Sequence, residues 1–435
     1  MISKFCHFIK ISKDKYAVLN NLLFEPIIVS NLEKDAIKTE SLNNFTPEEI
    51  SLLYEKGILV KDEDTDEKAL YTLKNYVNNA VDGGISLIYL IPSNFCNLAC
   101  KYCFIGKLNK EKQVMTTKII NQISKKYYEY LKKRDIKNST IIFYGGEPLT
   151  AFDQIKYSVK SFKKYKDVKW EFAIVTNLTL LTEEIAQFFK YYDFSVGVSI
   201  DGPKNTNDAN RVFKNGVGSV YDKVVEKIEL IKKYNLKLGL SITLTNEILM
   251  DSNFLNWLKN LGIKDINYNL LHYTQQSDEW KKYYDRASKF LFKSDKILSK
   301  SGIIDDRLQR KIRAFNSKEF KYNDCGAIGG HQLCFSPNGD ITVCHGLWNS
   351  NKDICGNIKD CSIEDIEKSS IFKDWKTNLT INKEKCLHCP AIYICGGGCA
   401  MQSNDLFKSS KKLDRAFCVH TKYSLKKLLS QKGAE

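Results

Sequence analysis

No stretch of the 435 residues reaches the roughly 18 consecutive apolar residues that a membrane-spanning helix needs. The early apolar run, residues 16–29, is broken by Asn20, Asn21, Glu25 and Pro26. A secretory signal, with its basic, apolar and small-residue succession, is also missing from the N-terminus. These absences argue for a cytoplasmic chain with no membrane partner. Nor is there a basic stripe with interleaved aromatics, although the formal charge is +15. The excess is mostly scattered lysine, so nucleic acid is not an expected partner. A positive surface suits an acidic peptide instead, through attraction that salt weakens.

Against these absences stand 14 cysteines. In a reducing cytosol, so many thiols at short spacings read as metal or cluster ligands rather than disulfides. In a secreted protein the same number would suggest bridges. With 43% apolar residues, the chain has material for two or three domains.

From about residue 86 to 271, short β-type runs alternate with amphipathic helical runs. The strand-like runs are 86–90, 141–144, 171–175, 194–200, 238–244 and 266–270. Between them lie helical patterns at 118–134, 183–191, 219–234 and 251–261; in the first, Ile119, Ile120, Ile123, Tyr127, Tyr130 and Leu131 recur at helical spacing. This is an α/β chain with a parallel sheet, either open or closed into a barrel, whose chemistry belongs at the C-terminal strand ends. Residues 1–85 differ: a hairpin is expected near 16–29 and a helix over 47–56, with Gly57 as its stop and residues 58–60 extended. The acidic run 61–67 reads as a wing or linker, so the segment has a winged-helix-like order. After about residue 301 the alternation fades, and the remainder is rich in Cys and Gly.

The loop after the first strand reads Cys96-Asn97-Leu98-Ala99-Cys100-Lys101-Tyr102-Cys103. Three thiolates within one short loop suit an iron–sulfur cluster and leave one iron of a four-iron cluster open. Zinc would want a fourth ligand close by, and the segment has none. Downstream, the order is Cys325, Cys344, then Cys386-x2-Cys389-x5-Cys395-x3-Cys399, and Cys418. Zinc ribbons also use Cys-x2-Cys pairs, so zinc remains the alternative for that array.

Cys-x3-Cys-x-Tyr-Cys after a first strand resembles the hallmark of radical S-adenosylmethionine enzymes, and the resemblance extends over roughly residues 86–435. It implies a partial (β/α)6, TIM-like barrel. It further implies that Cys96, Cys100 and Cys103 hold a 4Fe–4S cluster whose open iron binds the amino and carboxylate groups of S-adenosylmethionine. One-electron reduction then yields methionine and a 5′-deoxyadenosyl radical, which abstracts a substrate hydrogen. Gly145-Gly146-Glu147-Pro148 matches the family motif beside the methionine amino group. Tyr102, Thr176, Asn177, Ser199, Asp201 and Arg211 resemble further cofactor-binding positions.

The later cysteines resemble the SPASM extension of enzymes that act on peptides and proteins. The resemblance implies a distal auxiliary cluster on Cys386, Cys389, Cys395 and Cys418. It implies a proximal one on Cys325, Cys344 and Cys399, with Cys334 or a substrate thiolate as fourth ligand, making three 4Fe–4S clusters in all. Cys6, Cys355 and Cys361 fall outside the pattern and read as inert thiols. His345 stands where sulfatase-maturing relatives carry a candidate basic Asp, and is a candidate proton carrier.

The expected domains are therefore 1–85, winged-helix-like and suited to a precursor peptide; 86–315, the barrel; and 316–435, the cluster-binding extension. The expected function is maturation of a ribosomally made precursor peptide, with thioether cross-linking the first reaction to consider. A low-potential donor such as flavodoxin or ferredoxin would supply electrons, and an anaerobic host is expected. The alternatives are a sulfatase-type maturase making formylglycine and a non-catalytic iron–sulfur or zinc-binding protein.

Overall fold

The computed structural model describes residues 1–103, 105, 111–275, 277–350 and 353–433. The chain begins with three antiparallel strands, β1 (Cys6–Lys10), β2 (Lys15–Asn20) and β3 (Ile27–Ser30), in spatial order β1-β2-β3. The expected hairpin is β2–β3, with Tyr16 opposite Val29. Helices Asn31–Lys38 and Pro47–Glu55 follow, each opened by a capping box, Ser30 with Glu33 and Thr46 with Glu49. Gly57, at φ +63°, turns the chain out of the second.

The acidic run departs from its expected reading as a wing or linker. Asp62 caps a 19-residue helix, Glu63–Val81, whose first turn carries Glu63, Asp64 and Asp66. Carboxylates there face the positive end of the helix dipole, so the run is a helix start. Asp66 is buried, accepting from the Ser3 hydroxyl (2.6 Å) and the Lys4 N–H (2.9 Å).

All six expected strands form: β4 (Leu87–Leu90), β5 (Asn138–Phe143), β6 (Lys169–Thr176), β7 (Ser195–Ser199), β8 (Lys237–Leu244) and β9 (Asp265–Leu270). They are parallel neighbours in chain order, each followed by a helix: Thr117–Lys133, Phe152–Phe162, Glu183–Tyr191, Val220–Lys233, Phe254–Leu261 and Asp278–Leu298. This is the (β/α)6 partial barrel. A short β10 (Ile304–Asp305) extends one edge. On the other, β11 (Gln332–Phe335) pairs parallel to β4, followed by antiparallel β12 (Asp340–Thr342) and β13 (Ile354–Asn357). Among the described residues the sheet thus has ten strands, and the Cys-rich region is built onto the barrel's first strand.

Strand residues alternate between two environments. Ile141, Phe143, Phe172, Ile174, Val196 and Val198 are buried beneath helix residues such as Ile155, Val159 and Phe162. The intervening Tyr89, Tyr144, Val175, Ser199 and Thr243 are only half-buried, and line the concave side. The strand ends therefore open onto an inner space.

The N-terminal segment is fastened to the C-terminal one. The buried Asn21 amide donates to the Leu387 and Cys389 carbonyls (2.7 and 2.9 Å), and Phe5 stacks on His388. Asn21→Ala is expected to lower stability by about 1–3 kcal/mol, because two enclosed carbonyls lose their donor. Urea unfolding of the reconstituted chain measures this.

Candidate active site

Close backbone packing shapes the site. Gly145 sits at φ +135°, and a Cβ on Gly146 would lie 2.3 Å from the Phe95 carbonyl oxygen and 2.8 Å from that of Asn94. No side chain fits there, so the loop after β5 lies directly against the residues preceding Cys96. The Glu147 N–H then donates to the Phe95 carbonyl (2.8 Å). From the opposite side, the Ala99 and Lys101 N–H groups donate to the Val212 and Asn210 carbonyls (2.8 and 2.9 Å). The cysteine loop is thus gripped between the segments that follow β5 and β7.

Glu147 is buried and accepts from the Thr176 hydroxyl (2.6 Å), the Asn177 N–H (2.7 Å) and the Leu149 N–H (3.0 Å). Its carboxylate ties one strand end to the next. Pro148 is buried in the turn that follows. The Asn177 amide donates to Asn97 (2.9 Å) and reaches the Cys96 sulfur at 3.9 Å. Thr176 and Asn177 therefore hold the cysteine loop through their neighbours.

Asp201 is fully enclosed. It accepts from Arg211 Nε (2.7 Å) and Nη2 (3.3 Å), from the Thr243 N–H (2.8 Å), and from the Tyr102 hydroxyl. The guanidinium lies 5.6 Å from the Tyr102 ring centroid. Burial works against the Arg211 cation, but Asp201, Tyr102 and Cys100 hold it charged. Burial raises the Cys100 thiol, and Arg211 draws it back down. Asp201 thus orients Arg211 and Tyr102 beside the cysteine loop, while Ser199 lies half-buried on the concave face opposite Ser241.

Among the described residues, no three His, Cys, Asp or Glu side chains are drawn to metal-ligand spacing. What the structure shows is neighbourhood. Burial, then Glu147, then Cys100 and Cys103 raise the Cys96 thiol to about 12. Burial, then Cys395, Cys386 and Cys389, raise Cys418 to about 12. Burial, then Cys399, Cys325 and Cys334, raise Cys344. Cys96 is thus influenced by Cys100 and Cys103, Cys418 by Cys395, Cys386 and Cys389, and Cys344 by Cys399, Cys325 and Cys334; mutually destabilised buried thiolates are what a cationic iron–sulfur core would offset, so these residues could hold such groups.

Cys334 is buried in β11. It belongs to a small cluster with Ile91, Ile105 and Trp348, against which Tyr89, Cys103 and Tyr144 pack. Burial, then Cys103, Cys344 and Cys334, raise the Tyr144 hydroxyl, which packs in the same cluster as Cys103 and Cys334. His345 stacks on Tyr89 (4.3 Å) and meets Tyr144 edge-on (5.1 Å). Burial pulls the His345 imidazole down to about 4, and its buried Nδ1 has no hydrogen-bond partner among the described residues. Cys325 is solvent-exposed yet surrounded by protein, as befits a residue lining a hollow. Sequence reasoning missed Tyr89 and Tyr144; the latter's place directly before Gly145 was the available signal.

The pattern of the radical SAM superfamily matches residues 90–258. An uncharacterized protein of Methanocaldococcus jannaschii, MJ0907, is 33% identical over 286 residues, 64% of this chain and 91% of that one. The chain belongs to the radical SAM superfamily. That membership implies S-adenosylmethionine and a 4Fe–4S cluster. The radical SAM cyclopropyl synthase TigE of Paramaledivibacter caminithermalis is 23% identical over 429 residues, covering 93% of this chain and 88% of its own. A cysteine-type anaerobic sulfatase-maturating enzyme of Clostridium perfringens is 25% identical over 342 residues, covering 72% and 88%. Streptococcus suis SuiB, solved with its precursor peptide SuiA, superposes with a TM-score of 0.57 at 16% identity, over 96% of this chain and 99% of that one. Relatives of this chain are thus radical SAM maturases.

Two substitutions probe the site. Burial raises the Glu147 carboxyl to about 7, above its unfolded value of 4.5, so its contribution to stability is complete below about pH 4.5 and is lost as pH rises through 7. Between those limits the stability difference between Glu147→Gln and the parent should move in the variant's favour by roughly 3 kcal/mol. A pH-independent difference in urea midpoints would overturn this. Asp201→Asn leaves the Arg211 cation buried without its counter-charge, and should cost about 3–5 kcal/mol in the same assay.

Proposed function

We propose that this radical SAM maturase modifies a ribosomally made precursor peptide, by hydrogen abstraction from a core residue followed by cross-linking, with a thioether the first product to seek. The observation that carries this reading is the apolar cluster in which Tyr144 and Cys103 of the first cysteine loop pack with Cys334 of the later array. A substrate carbon in the inner space would lie between the radical source and a proximal auxiliary cluster.

The cofactors, when bound, supply a 5′-deoxyadenosyl radical and accept an electron. This chain's residues do the holding. Cys96, Cys100 and Cys103 would ligate the first cluster, and Arg211, kept charged by Asp201, suits a carboxylate. Tyr89 and Tyr144 form a wall against water. His345 packs on Tyr89 and Tyr144, and its Nδ1 has no hydrogen-bond partner among the described residues, which makes it the candidate to carry a proton. In a thioether, the carbon loses a hydrogen atom and the thiol a proton. One electron remains, which an auxiliary cluster held by Cys325, Cys344 and Cys399 would accept, and the peptide ends two hydrogens lighter.

Matches over 93% and 96% of the chain leave too few residues out to omit the first 85, and one of these relatives, SuiB, was solved with its precursor peptide. The sulfatase-maturating relative covers 72%. That difference favours a peptide substrate and gives residues 1–85 a role: the outer edges of β1 and β3 in their three-stranded sheet offer backbone groups to an extended leader. We assign residues 86–315 to the barrel and 316–435 to two auxiliary clusters.

Anaerobic reconstitution should load about 12 irons per chain, four per cluster. With dithionite and S-adenosylmethionine it should produce 5′-deoxyadenosine, and the Cys96, Cys100, Cys103 triple Ala variant should produce none. Co-expression with a short Cys-bearing reading frame from the gene neighbourhood should yield a peptide two hydrogens lighter. A sulfatase-derived peptide converted in its place would move the assignment to the second reading.

A further inference from the structure

Phe95 stands directly before Cys96, yet it is 36% exposed. Two ammoniums lie over its ring, Lys112 with Nζ 5.1 Å from the centroid and Lys214 at 4.9 Å. Both lysines are exposed, and neither has a carboxylate partner among the described residues. The segments that carry them are fixed to the cysteine loop by backbone bonds. The Asn94 N–H donates to the Gln113 carbonyl (3.2 Å), and the Lys214 N–H donates to the Asn97 carbonyl (3.0 Å).

Apolar surface continues on both sides of the ring. Val114, paired with Ser93, is exposed, as is Leu180, and Val217 is 70% exposed between Gly216 and Gly218. A shallow cleft of about 330 Å³ beside Leu180 and Phe213 reaches Asn97. Its acids are matched: Asp222 pairs with Lys204, and Glu226 with both Lys223 (2.8 Å) and Lys227 (3.0 Å). With exposed Glu111 counted, lysines still outnumber carboxylates across the patch. The other end of the cysteine loop is closed, since Cys103 packs against the cluster of Cys334 and Trp348.

We propose that this patch is the docking surface for the protein that reduces the enzyme, an acidic one-electron carrier bearing a flavin or an iron–sulfur group. Redox encounters use small interfaces, and opposite charge speeds and orients them. A compact apolar centre ringed by ammoniums fits such a partner. An extended peptide would want a long groove or a free sheet edge, and the patch is one ring with three aliphatic side chains. A donor seated on Phe95 meets the residue bonded to Cys96. In the step served, the donor loses one electron and the cluster on Cys96, Cys100 and Cys103 gains it, with no bond made or broken. The inference rests on the cluster reading of those cysteines.

The test uses the full-length, anaerobically reconstituted chain and an acidic flavodoxin as probe. Binding of the oxidised flavodoxin is followed by its flavin fluorescence. Lys112→Glu combined with Lys214→Glu should weaken it at least about tenfold at low salt. The difference should shrink in about 1 M salt, where screening acts within about 3 Å. In the same variant, 5′-deoxyadenosine formation driven by limiting reduced flavodoxin should fall by a similar factor, while the dithionite-driven rate stays unchanged. Val217→Asp should weaken flavodoxin binding by roughly threefold, through a like charge facing the donor.

Equal binding by the parent and the double variant overturns the proposal, as does a parent that binds no flavodoxin. A polyglutamate peptide that competes as well as flavodoxin shows a site for acidic chains in general and also overturns it. If the double variant fails to fold or to hold iron, Val217→Asp decides, and unchanged binding there overturns the proposal. A parent that forms no 5′-deoxyadenosine even with dithionite overturns the cluster reading itself, a result distinct from a loss confined to flavodoxin.

Discussion

The approach of Gly145 and Gly146 to the backbone of Ser93, Asn94 and Phe95 is the contact on which the rest of the site hangs. With no Cβ in the way, two strand-end loops that are far apart in sequence share a hydrogen bond, Glu147 N–H to the Phe95 carbonyl. That bond fixes where the Glu147 side chain begins. The carboxylate then gathers Thr176 and Asn177, and Asn177 reaches back to Asn97 and Cys96. The chain of contacts closes on the loop where it started. Three consecutive strand ends are held as a ring, so the spacing of Cys96, Cys100 and Cys103 does not depend on the loop's own stiffness.

The charges inside this ring are arranged differently from those on a surface. Glu147 is satisfied by dipoles from two backbone N–H groups and a hydroxyl, whereas Asp201 is satisfied mainly by Arg211. Burial outweighs those dipoles and raises the Glu147 carboxyl to about 7, whereas Asp201 keeps a cation beside Cys100. A guanidinium in that place opposes the burial of negative charge on the cysteine loop.

Much of this was legible in the sequence where pattern is local. The six strands and the helices between them followed from alternation and periodicity, and the cysteine loop and Gly-Gly-Glu-Pro fell at strand ends. What was hidden depends on distance or on partners. The pairing of β11 with β4 joins residue 332 to residue 87, and no local pattern encodes it. The helix Glu63–Val81 was masked by acidic residues that look solvated until one sees that they open a helix. Glu147 and Asp201 read as ligand-facing carboxylates, and only their burial shows them turned toward the protein's own donors. The buried Lys311 looked like one more lysine of the charged helix Asp306–Ser317, since nothing in the sequence distinguishes the buried face from the wet one there.

The same distant pairing explains why the Cys-rich region is not a loose appendage. β11 carries Cys334 alongside Tyr89 of β4, so the proximal thiols are registered against the barrel strand that leads into the Cys96 loop. On the far side, Asn21 holds the carbonyls of the Cys386–Cys389 turn, so the distal thiols are registered against the N-terminal sheet. The barrel sets the inner group and the N-terminal segment steadies the outer one. Two groups of thiols fixed to different sheets keep their spacing only if those sheets are themselves tied together. The helix Asp306–Ser317 supplies that tie: it follows β10 of the barrel sheet and carries Lys311 onto the Cys395 carbonyl.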